Sequence, residues 1–119
     1  MSDSIKVRSI VLDCPDHHAL IRFYAEITGW TISYEDDEWA VLKEGDLPRI
    51  CFQKIPNYTP PTWPEGPTPQ QFHLDFTVDE FEAPEKRVLA AGATKFEFQP
   101  GDDFRVYADP VGHPFCLCI

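Results

Sequence analysis

The side chains best suited to catalysis or metal binding lie in the second half of the chain. His73 and Asp75 stand two residues apart in segment 71–78, so a β-strand there would place both on one face. Asp75 could accept a proton from His73 there, or simply pair with a neighbouring strand. Cys116 and Cys118 have the same spacing in a second apolar segment. Sulfur and imidazole donors suit zinc, although the sequence has no CxxC pair or known zinc-binding spacing. The other interpretation of His73 is a hydrogen-bonded pocket or core histidine.

Composition limits the partners of the chain. Its 119 residues include 10 Lys and Arg against 20 Asp and Glu, which gives a net charge of −10. This charge argues against nucleic acid or an anionic membrane as a partner. It permits a cationic ligand, while the plainer interpretation of the acidic excess is solubility. The 43% hydrophobic content and the length predict one domain over residues 1–119.

The sequence also predicts a compartment. The opening residues have no apolar core before a cleavage site, and no segment approaches the ~18 apolar residues of a membrane span. A cytoplasmic location is therefore expected, with the four cysteines as thiols. Cys116 and Cys118 would lie ~6.6 Å apart on one strand, which is beyond relaxed disulfide reach without distortion.

The first half of the chain predicts the order β-α-β-β-β (module 1, about residues 5–55). A helix begins at Asp16, or at Asp13 if Pro15 lies in its first turn, and ends at Gly29. His17 and His18 at the helix start are expected to be solvated. The four strands are predicted at residues 5–14, 30–34, 38–43 and 49–55.

Residues 56–70 differ from the rest, because six of these fifteen residues are proline. Such a composition predicts an extended linker or loop. Trp63 within it is expected to pack on the body of the protein, or to lie over a groove.

The second half (module 2, about residues 71–119) repeats the order β-α-β-β-β. A helix is predicted to start near residue 82, because Pro84 fits only in a first turn, and to end at Gly92. The strands are predicted at residues 71–78, 94–98, 104–108 and 115–119, the last two joined by a turn over 109–114. Arg105 is expected to be solvated or to reach an anionic substrate. A shift of about 64 residues places Ser9 on His73.

Three motifs in this order resemble the vicinal oxygen chelate superfamily, which includes glyoxalase I, bleomycin-resistance proteins and extradiol dioxygenases. Asp16, Phe23-Tyr24 and Gly29-Trp30 resemble its first helix, residues 72–76 resemble the strand that opens its second module, and residues 109–115 resemble its Asp-Pro-x-Gly-Asn turn with His113 in place of Asn. The sequence is most similar to the glyoxalase-like domain branch of this superfamily. The resemblance implies an α+β fold of two tandem βαβββ modules, an open curved sheet that encloses a cleft, and a homodimer.

The resemblance also implies where ligands would bind. Metal-using members carry one ligand on the first and last strand of each module, and these positions fall here on Ser9, on or near Gln53, on His73 and on Cys116. His73 alone keeps a standard ligand, so a divalent metal would be held by His73 only. A hard divalent ion needs anionic ligands to offset its charge. The implied ligand pocket comprises Ser9, Cys51, Gln53, His73, Asp75, Cys116 and Cys118.

Three functions are consistent with this pattern. The first is a lyase or isomerase acting on a small oxygenated metabolite, with His73 as catalytic base or metal anchor. The second is a metal-free protein of the bleomycin-resistance type, which would sequester a cationic aromatic ligand with its acidic charge and its tryptophans, Trp30, Trp39 and Trp63. The third is a metabolite-sensing or scaffolding dimer without turnover. The sequence shows no Gly-rich phosphate loop and no Ser-His-Asp order.

Overall fold

The computed structural model describes residues 4–119, and the chain divides into two compact units at Tyr58–Thr59. Each unit is α+β. None of the helices in the described part of the chain is long and apolar enough to cross a membrane. The assignment of all 119 residues to one domain stays a prediction.

Unit 1 (to Tyr58) has the predicted order β-α-β-β-β. Its sheet has the strand order β1-β4-β3-β2, with β1 parallel to β4 and the other neighbours antiparallel. Strand β1 begins at Ser9 and not near residue 5, and the other boundaries lie within two residues of the prediction. The elements are β1 (Ser9–Cys14), α1 (His17–Thr28), β2 (Thr31–Glu35), β3 (Trp39–Lys43) and β4 (Arg49–Lys54).

Helix α1 has the predicted start and stop. The Asp16 carboxylate accepts a hydrogen bond from the Ala19 backbone N–H at 3.1 Å, which satisfies one of the free donors of the first turn. Gly29 ends the helix with a φ of +74°, a left-handed conformation that glycine adopts without steric cost. The helix packs on the sheet through Tyr24, whose ring stacks on Phe52 of β4 at 5.5 Å between centroids.

Unit 2 (Thr59–Ile119) repeats this topology. Its sheet has the order β5-β8-β7-β6, again with one parallel pair, β5 and β8, and two antiparallel pairs. The predicted duplication of a βαβββ module is therefore confirmed. The elements are β5 (Leu74–Thr77), α2 (Glu82–Ala91), β6 (Thr94–Lys95), β7 (Phe104–Ala108) and β8 (Pro114–Cys118).

The closing hairpin of unit 2 is confirmed, and a buried carboxylate holds its turn. Asp109 is 3% exposed, and its Oδ1 accepts hydrogen bonds from the backbone N–H groups of Val111 and His113, both at 3.0 Å. This is an Asx-type turn, which explains the acidic residue at the head of the motif. The turn brings β8 back between β5 and β7, in the centre of the sheet.

Strand β6 is shorter than predicted, since it ends at Lys95 and not at residue 98. The side-chain amide of Gln99 replaces the missing strand pairing, because it donates to Val106 O at 2.9 Å and accepts from Val106 N at 2.9 Å. Trp63 packs on this region as expected, with its ring 4.9 Å from that of Phe96 and 5.5 Å from that of Phe98.

Each sheet has a helix-covered face and an opposite face, which we call the open face. In unit 1 the residues in register with Phe52 face α1, so Cys51 and Gln53 belong to the open face. In unit 2 the Tyr107 side chain donates a hydrogen bond to Glu85 of α2, so Tyr107 and its strand partner Phe115 face the helix. Val106 and its partner Cys116 face the other way. His73, Asp75, Cys116 and Cys118 therefore lie on the open face of unit 2.

Candidate functional site

The open face of unit 2 brings together three side chains that can bind a metal or move a proton. Their ligand atoms, one each from His73, Asp75 and Cys116, all lie within 4.8 Å of one another. His73 Nε2 is 3.1 Å from Asp75 Oδ1. The predicted same-face pairing of His73 with Asp75 is thus present, and Cys116 joins it from the neighbouring strand.

Strand register explains the meeting of Asp75 and Cys116. The two residues are direct partners in the parallel β5–β8 pair, which places their side chains side by side on one face. Cys116 is 5% exposed on the central strand and is held by pairing on both sides. His73 precedes β5, and the side chains of His73 and Asp75 are 39% and 61% exposed. The site therefore combines one fixed donor with two adjustable ones.

The environment keeps the Cys116 sulfur protonated. Burial, the negative charge of Asp75 and a hydrogen bond to that carboxylate raise the pKa of the Cys116 thiol to about 12. Burial, followed by the charges of Asp75 and Asp103, also raises the pKa of Cys118. Neither thiol is a reactive nucleophile at neutral pH. All four cysteines of the chain are free thiols, as expected.

The predicted pocket residues of unit 1 form no equivalent group. Cys51 is buried opposite Val11 of β1, in the register position that corresponds to Cys116 opposite Asp75. Ser9 begins β1 and pairs with Arg49. With Val11 in place of a carboxylate and Ser9 in place of a histidine, the positions around Cys51 lack the donors that surround Cys116.

The donor set of unit 2 fits a borderline metal. Tetrahedral zinc takes nitrogen and oxygen at about 2.0–2.2 Å and sulfur at about 2.3 Å, so neighbouring donors lie roughly 3.3–3.6 Å apart. His73 Nε2 and Asp75 Oδ1 are 3.1 Å apart, which is close to this spacing. The ligand atoms all lie within 4.8 Å of one another, so none of the three distances would have to shorten by much more than about 1 Å to hold zinc. Since His73 and Asp75 are partly exposed, their side chains can make this adjustment.

Gln53 belongs to a separate pocket on unit 1. This pocket has a volume of about 440 Å³ and lies beside the β2–β3 turn. Asp36 in this turn is already engaged, because it accepts hydrogen bonds from Tyr34 Oη at 2.6 Å and from two backbone N–H groups. These bonds lower the pKa of Asp36. The lining residues are Asp36, Asp37, Glu38, Trp39 and Gln53. A tryptophan among carboxylates is a favourable environment for an organic cation.

Two side chains expected to be solvated have structural roles. His17 is 2% exposed, because α1 packs its first turn against the β2–β3 turn, and its Nε2 lies 2.7 Å from the Asp36 carbonyl oxygen. Arg105 lies over the Phe81 ring, with its Nη1 3.1 Å from Glu85 Oε1. Both contacts join residues far apart in sequence, so no local pattern could have revealed them.

Comparisons with known proteins agree with this architecture. No curated protein matches the chain. Among solved structures, a glyoxalase-related enzyme from Fulvimarina pelagi is 21% identical and has a TM-score of 0.71, over 95% of this chain and 86% of that one. A glyoxalase/bleomycin resistance protein/dioxygenase family enzyme from Burkholderia phytofirmans PsJN is 20% identical, with a TM-score of 0.72 over 95% and 97% of the two chains. A glyoxalase family protein from Enterococcus faecalis is 19% identical, with a TM-score of 0.72 over 96% and 97%.

At these identities the structural matches show the fold alone. A family model, in contrast, matches almost the whole described chain, from residue 9 to residue 118, and so includes both βαβββ modules and the His73, Asp75 and Cys116 group. The chain belongs to the family of glyoxalase-like domains.

Proposed function

We propose that this protein acts as a lyase or isomerase on a small oxygenated metabolite, at a metal site formed by His73, Asp75 and Cys116. The observation that carries the proposal is the convergence of these three ligand atoms within 4.8 Å on the open face of unit 2. The resemblance implies His73 alone as a metal ligand, and Asp75 and Cys116 beside it change which metals the site can hold.

Charge is the first argument. The two positions at which metal-using relatives carry a glutamate fall here on or near Gln53 and on Cys116, so neither supplies a carboxylate. The Cys116 sulfur is a neutral thiol in the protein without metal, and a coordinated divalent cation would displace its proton to solvent. Asp75 and Cys116 would then supply two negative charges, and His73 would bind as a neutral imidazole. Together they balance a divalent cation. A thiolate in the set favours zinc or cobalt over the hard ions magnesium and calcium.

Coordination number is the second argument. Three protein ligands leave one position of a tetrahedral zinc ion open, as in catalytic and not in structural zinc sites. The exposure of His73 and Asp75 leaves that side of the site accessible to a ligand. A bound metal there would polarise an oxygen of the substrate. In the protein without metal, the Asp75 carboxylate, 3.1 Å from His73 Nε2, would orient the imidazole ring.

The first experiment is metal binding by protein purified without a chelating tag. Cobalt(II) should give a sulfur-to-cobalt charge-transfer band in the near ultraviolet at one equivalent. Cys116→Ser should abolish this band, whereas Cys118→Ser, a matched change two residues along the same strand, should retain it. His73→Ala should lower the affinity by at least roughly tenfold.

A measurement without variants guards against misfolding. X-ray absorption of the zinc-loaded protein should show one sulfur at about 2.3 Å together with nitrogen and oxygen neighbours. Bound metal without sulfur coordination would refute the role of Cys116. If no ion binds in either experiment, metal-assisted chemistry is ruled out. With a metal bound, turnover is then screened by proton exchange next to carbonyl groups in D₂O, with His73→Ala as the negative control.

A second function has its own observation, the pocket of about 440 Å³ in which Trp39 lies among three acidic residues. These features favour metal-free binding of a cationic aromatic ligand, since a ring face and carboxylates both attract organic cations. Benzyltrimethylammonium should quench tryptophan fluorescence in a saturable manner. Trp39→Leu should abolish binding, whereas Trp30→Leu should not. Equal loss in both variants, or no saturation, would reject this function.

The predicted homodimer is part of the proposal. Strand β1 forms an edge of the unit 1 sheet, and its Ile10 and Val11 are 41% and 43% exposed. An apolar edge strand is a surface on which a second copy can pair. Light scattering should give the mass of a dimer, and Val11→Lys should give a monomer. Leu89→Lys, at an equally exposed apolar residue on α2, is the control that should leave the dimer intact.

A further inference from the structure

A cluster of basic residues lies at the end of the unit 1 sheet at which β1 and β4 begin. A depression of about 350 Å³ lies there, between the start of β1 and the β3–β4 turn. Three of the chain's ten Lys and Arg residues line it, in a protein of net charge −10. The lining residues are Val7, Arg8, Lys43, Gly45, Asp46, Leu47, Pro48 and Arg49.

Strand pairing holds the three cationic residues together. Arg49 N donates a hydrogen bond to Arg8 O at 3.0 Å, so the backbones of these residues are adjacent. Lys43 lies one step beyond the Leu42–Ile50 pair of the antiparallel β3–β4 ladder, which places it opposite Arg49. The cluster therefore lies where three neighbouring strands meet one end of the sheet, with Arg8 just before β1, Arg49 at the start of β4 and Lys43 at the end of β3.

The cationic side chains have no anionic partner within the described chain. None of these three residues forms an ion pair with another of residues 4–119, although Asp46 lines the same depression. Like charges directly opposite each other on an antiparallel pair destabilise the sheet. Lys43 and Arg49 are such a pair, and a bound anion would convert their repulsion into attraction.

We propose that this depression binds a small dianion, such as a phosphate monoester or a dicarboxylate. Three cations and Asp46 leave a local charge of +2, which matches two negative charges on the ligand. Arginine presents a planar fork of donors that pairs with two oxygens of a phosphate or carboxylate. The volume is at the lower end of small-molecule sites, and the net charge of −10 disfavours a polyanion such as nucleic acid.

This site is independent of the metal proposal, because it lies in unit 1 and uses none of the His73, Asp75 and Cys116 group. Its test needs no turnover. The ¹⁵N-labelled full chain is titrated separately with inorganic phosphate, glycerol phosphate and succinate, and with sodium chloride at matched ionic strength. Amide chemical shifts report both the affinity and the location of binding.

Saturable shifts confined to residues 7–8 and 43–49 are expected with at least one dianion and not with chloride. The three dianions distinguish a phosphate from a carboxylate ligand. Arg49→Gln and Arg8→Gln should each weaken binding by about tenfold or more, since each removes charge-assisted hydrogen bonds. Lys54→Gln removes one positive charge at the opposite end of β4 and should leave the affinity unchanged.

Two results would overturn the proposal. Shifts that grow linearly and are the same for chloride would show ionic-strength screening only. An equal loss of affinity in Lys54→Gln and Arg49→Gln would show that net charge, and not the depression, attracts the anion. Because Arg8 and Lys54 are exposed, their variants are expected to fold, and their amide spectra check this directly.

Discussion

Glu85 joins helix α2 to the sheet of unit 2, and its replacement tests that packing quantitatively. Its Oε1 accepts a hydrogen bond from Tyr107 Oη at 2.7 Å and lies 3.1 Å from Arg105 Nη1 and 3.0 Å from Lys95 Nζ. Burial opposes ionisation of Glu85, yet the hydrogen bonds from these three groups hold its pKa below the usual 4.5. Burial, followed by the hydrogen bond to Glu85 and its negative charge, raises the pKa of Tyr107.

Two substitutions separate the contributions of charge and of hydrogen bonding. Glu85→Gln keeps an oxygen acceptor for Tyr107 and removes the negative charge, which is worth about 1 kcal/mol because its cationic partners are partly exposed. Glu85→Ala also leaves the buried Tyr107 hydroxyl without its acceptor, at a further cost of about 1–3 kcal/mol. The total for Glu85→Ala is therefore roughly 2–4 kcal/mol.

The pH dependence follows from the direction of the pKa shift. A carboxyl group whose pKa is lower in the folded state stabilises the protein fully above its unfolded-state pKa, and this contribution is lost as pH falls through the folded-state pKa. The stability difference between wild type and Glu85→Gln should thus be constant above pH ~5 and should disappear under more acidic conditions.

Urea unfolding followed by circular dichroism, at pH 7 and at steps down to pH 3, measures these differences. Glu97→Gln, at an exposed carboxylate of the same unit that forms no ion pair among the described residues, controls for net charge. A difference between wild type and Glu85→Gln that does not change with pH would refute the electrostatic argument. Equal destabilisation by Gln and Ala would refute the role assigned to the Tyr107 hydroxyl.

Other predictions concern single contacts, each measured by urea or thermal unfolding. Asp16→Ala should cost about 1 kcal/mol through loss of the α1 N-cap, and an unchanged midpoint would contradict that role. Gly29→Ala should cost about 1–2 kcal/mol through backbone conformation alone, since open space surrounds the new Cβ. Gly66→Ala should cost more, because its Cβ would lie 2.6 Å from Thr62 Oγ1, and the reverse order would refute this packing. Phe52→Ala should cost about 3–5 kcal/mol, and a smaller loss would mean that the core closes around the cavity.

Elements encoded by local patterns could be predicted from the sequence. The apolar spacing of α1, its Asp16 cap and the Gly29 stop are each contained within a few residues, and the structure confirms all three. The closing turn is equally local, since Asp109 bonds to residues two and four positions away. The predicted strand at residues 94–98 is longer than the observed β6, because the Gln99 side-chain amide takes the place of strand pairing. Alternation of apolar residues cannot indicate such a contact.

The site could be predicted only in part. The two-residue spacing of His73 and Asp75 predicts one face for both if they share a strand. Strand β5 begins at Leu74 and not at residue 71, so His73 lies just before it, yet the two side chains still meet at 3.1 Å. The position of Cys116 beside Asp75 depends on a parallel pairing across a long crossover, whose register the sequence does not specify. The cationic depression could not be predicted from the sequence for the same reason. It is formed by Arg8, Lys43 and Arg49, which come from three segments that only the sheet brings together.

The two units show how one topology can carry different chemistry. In both, the first and last strands pair in parallel and place facing residues on the open face. In unit 2 that pairing joins Asp75 to Cys116 next to His73, whereas in unit 1 it joins Val11 to Cys51 next to Ser9. At this register position unit 2 therefore offers a carboxylate, a thiol and an imidazole, whereas unit 1 offers the buried Cys51 thiol beside an apolar side chain. Where its sheet begins, unit 1 instead carries three cationic residues that form no ion pair within residues 4–119, so the two proposed sites would select ligands of opposite charge.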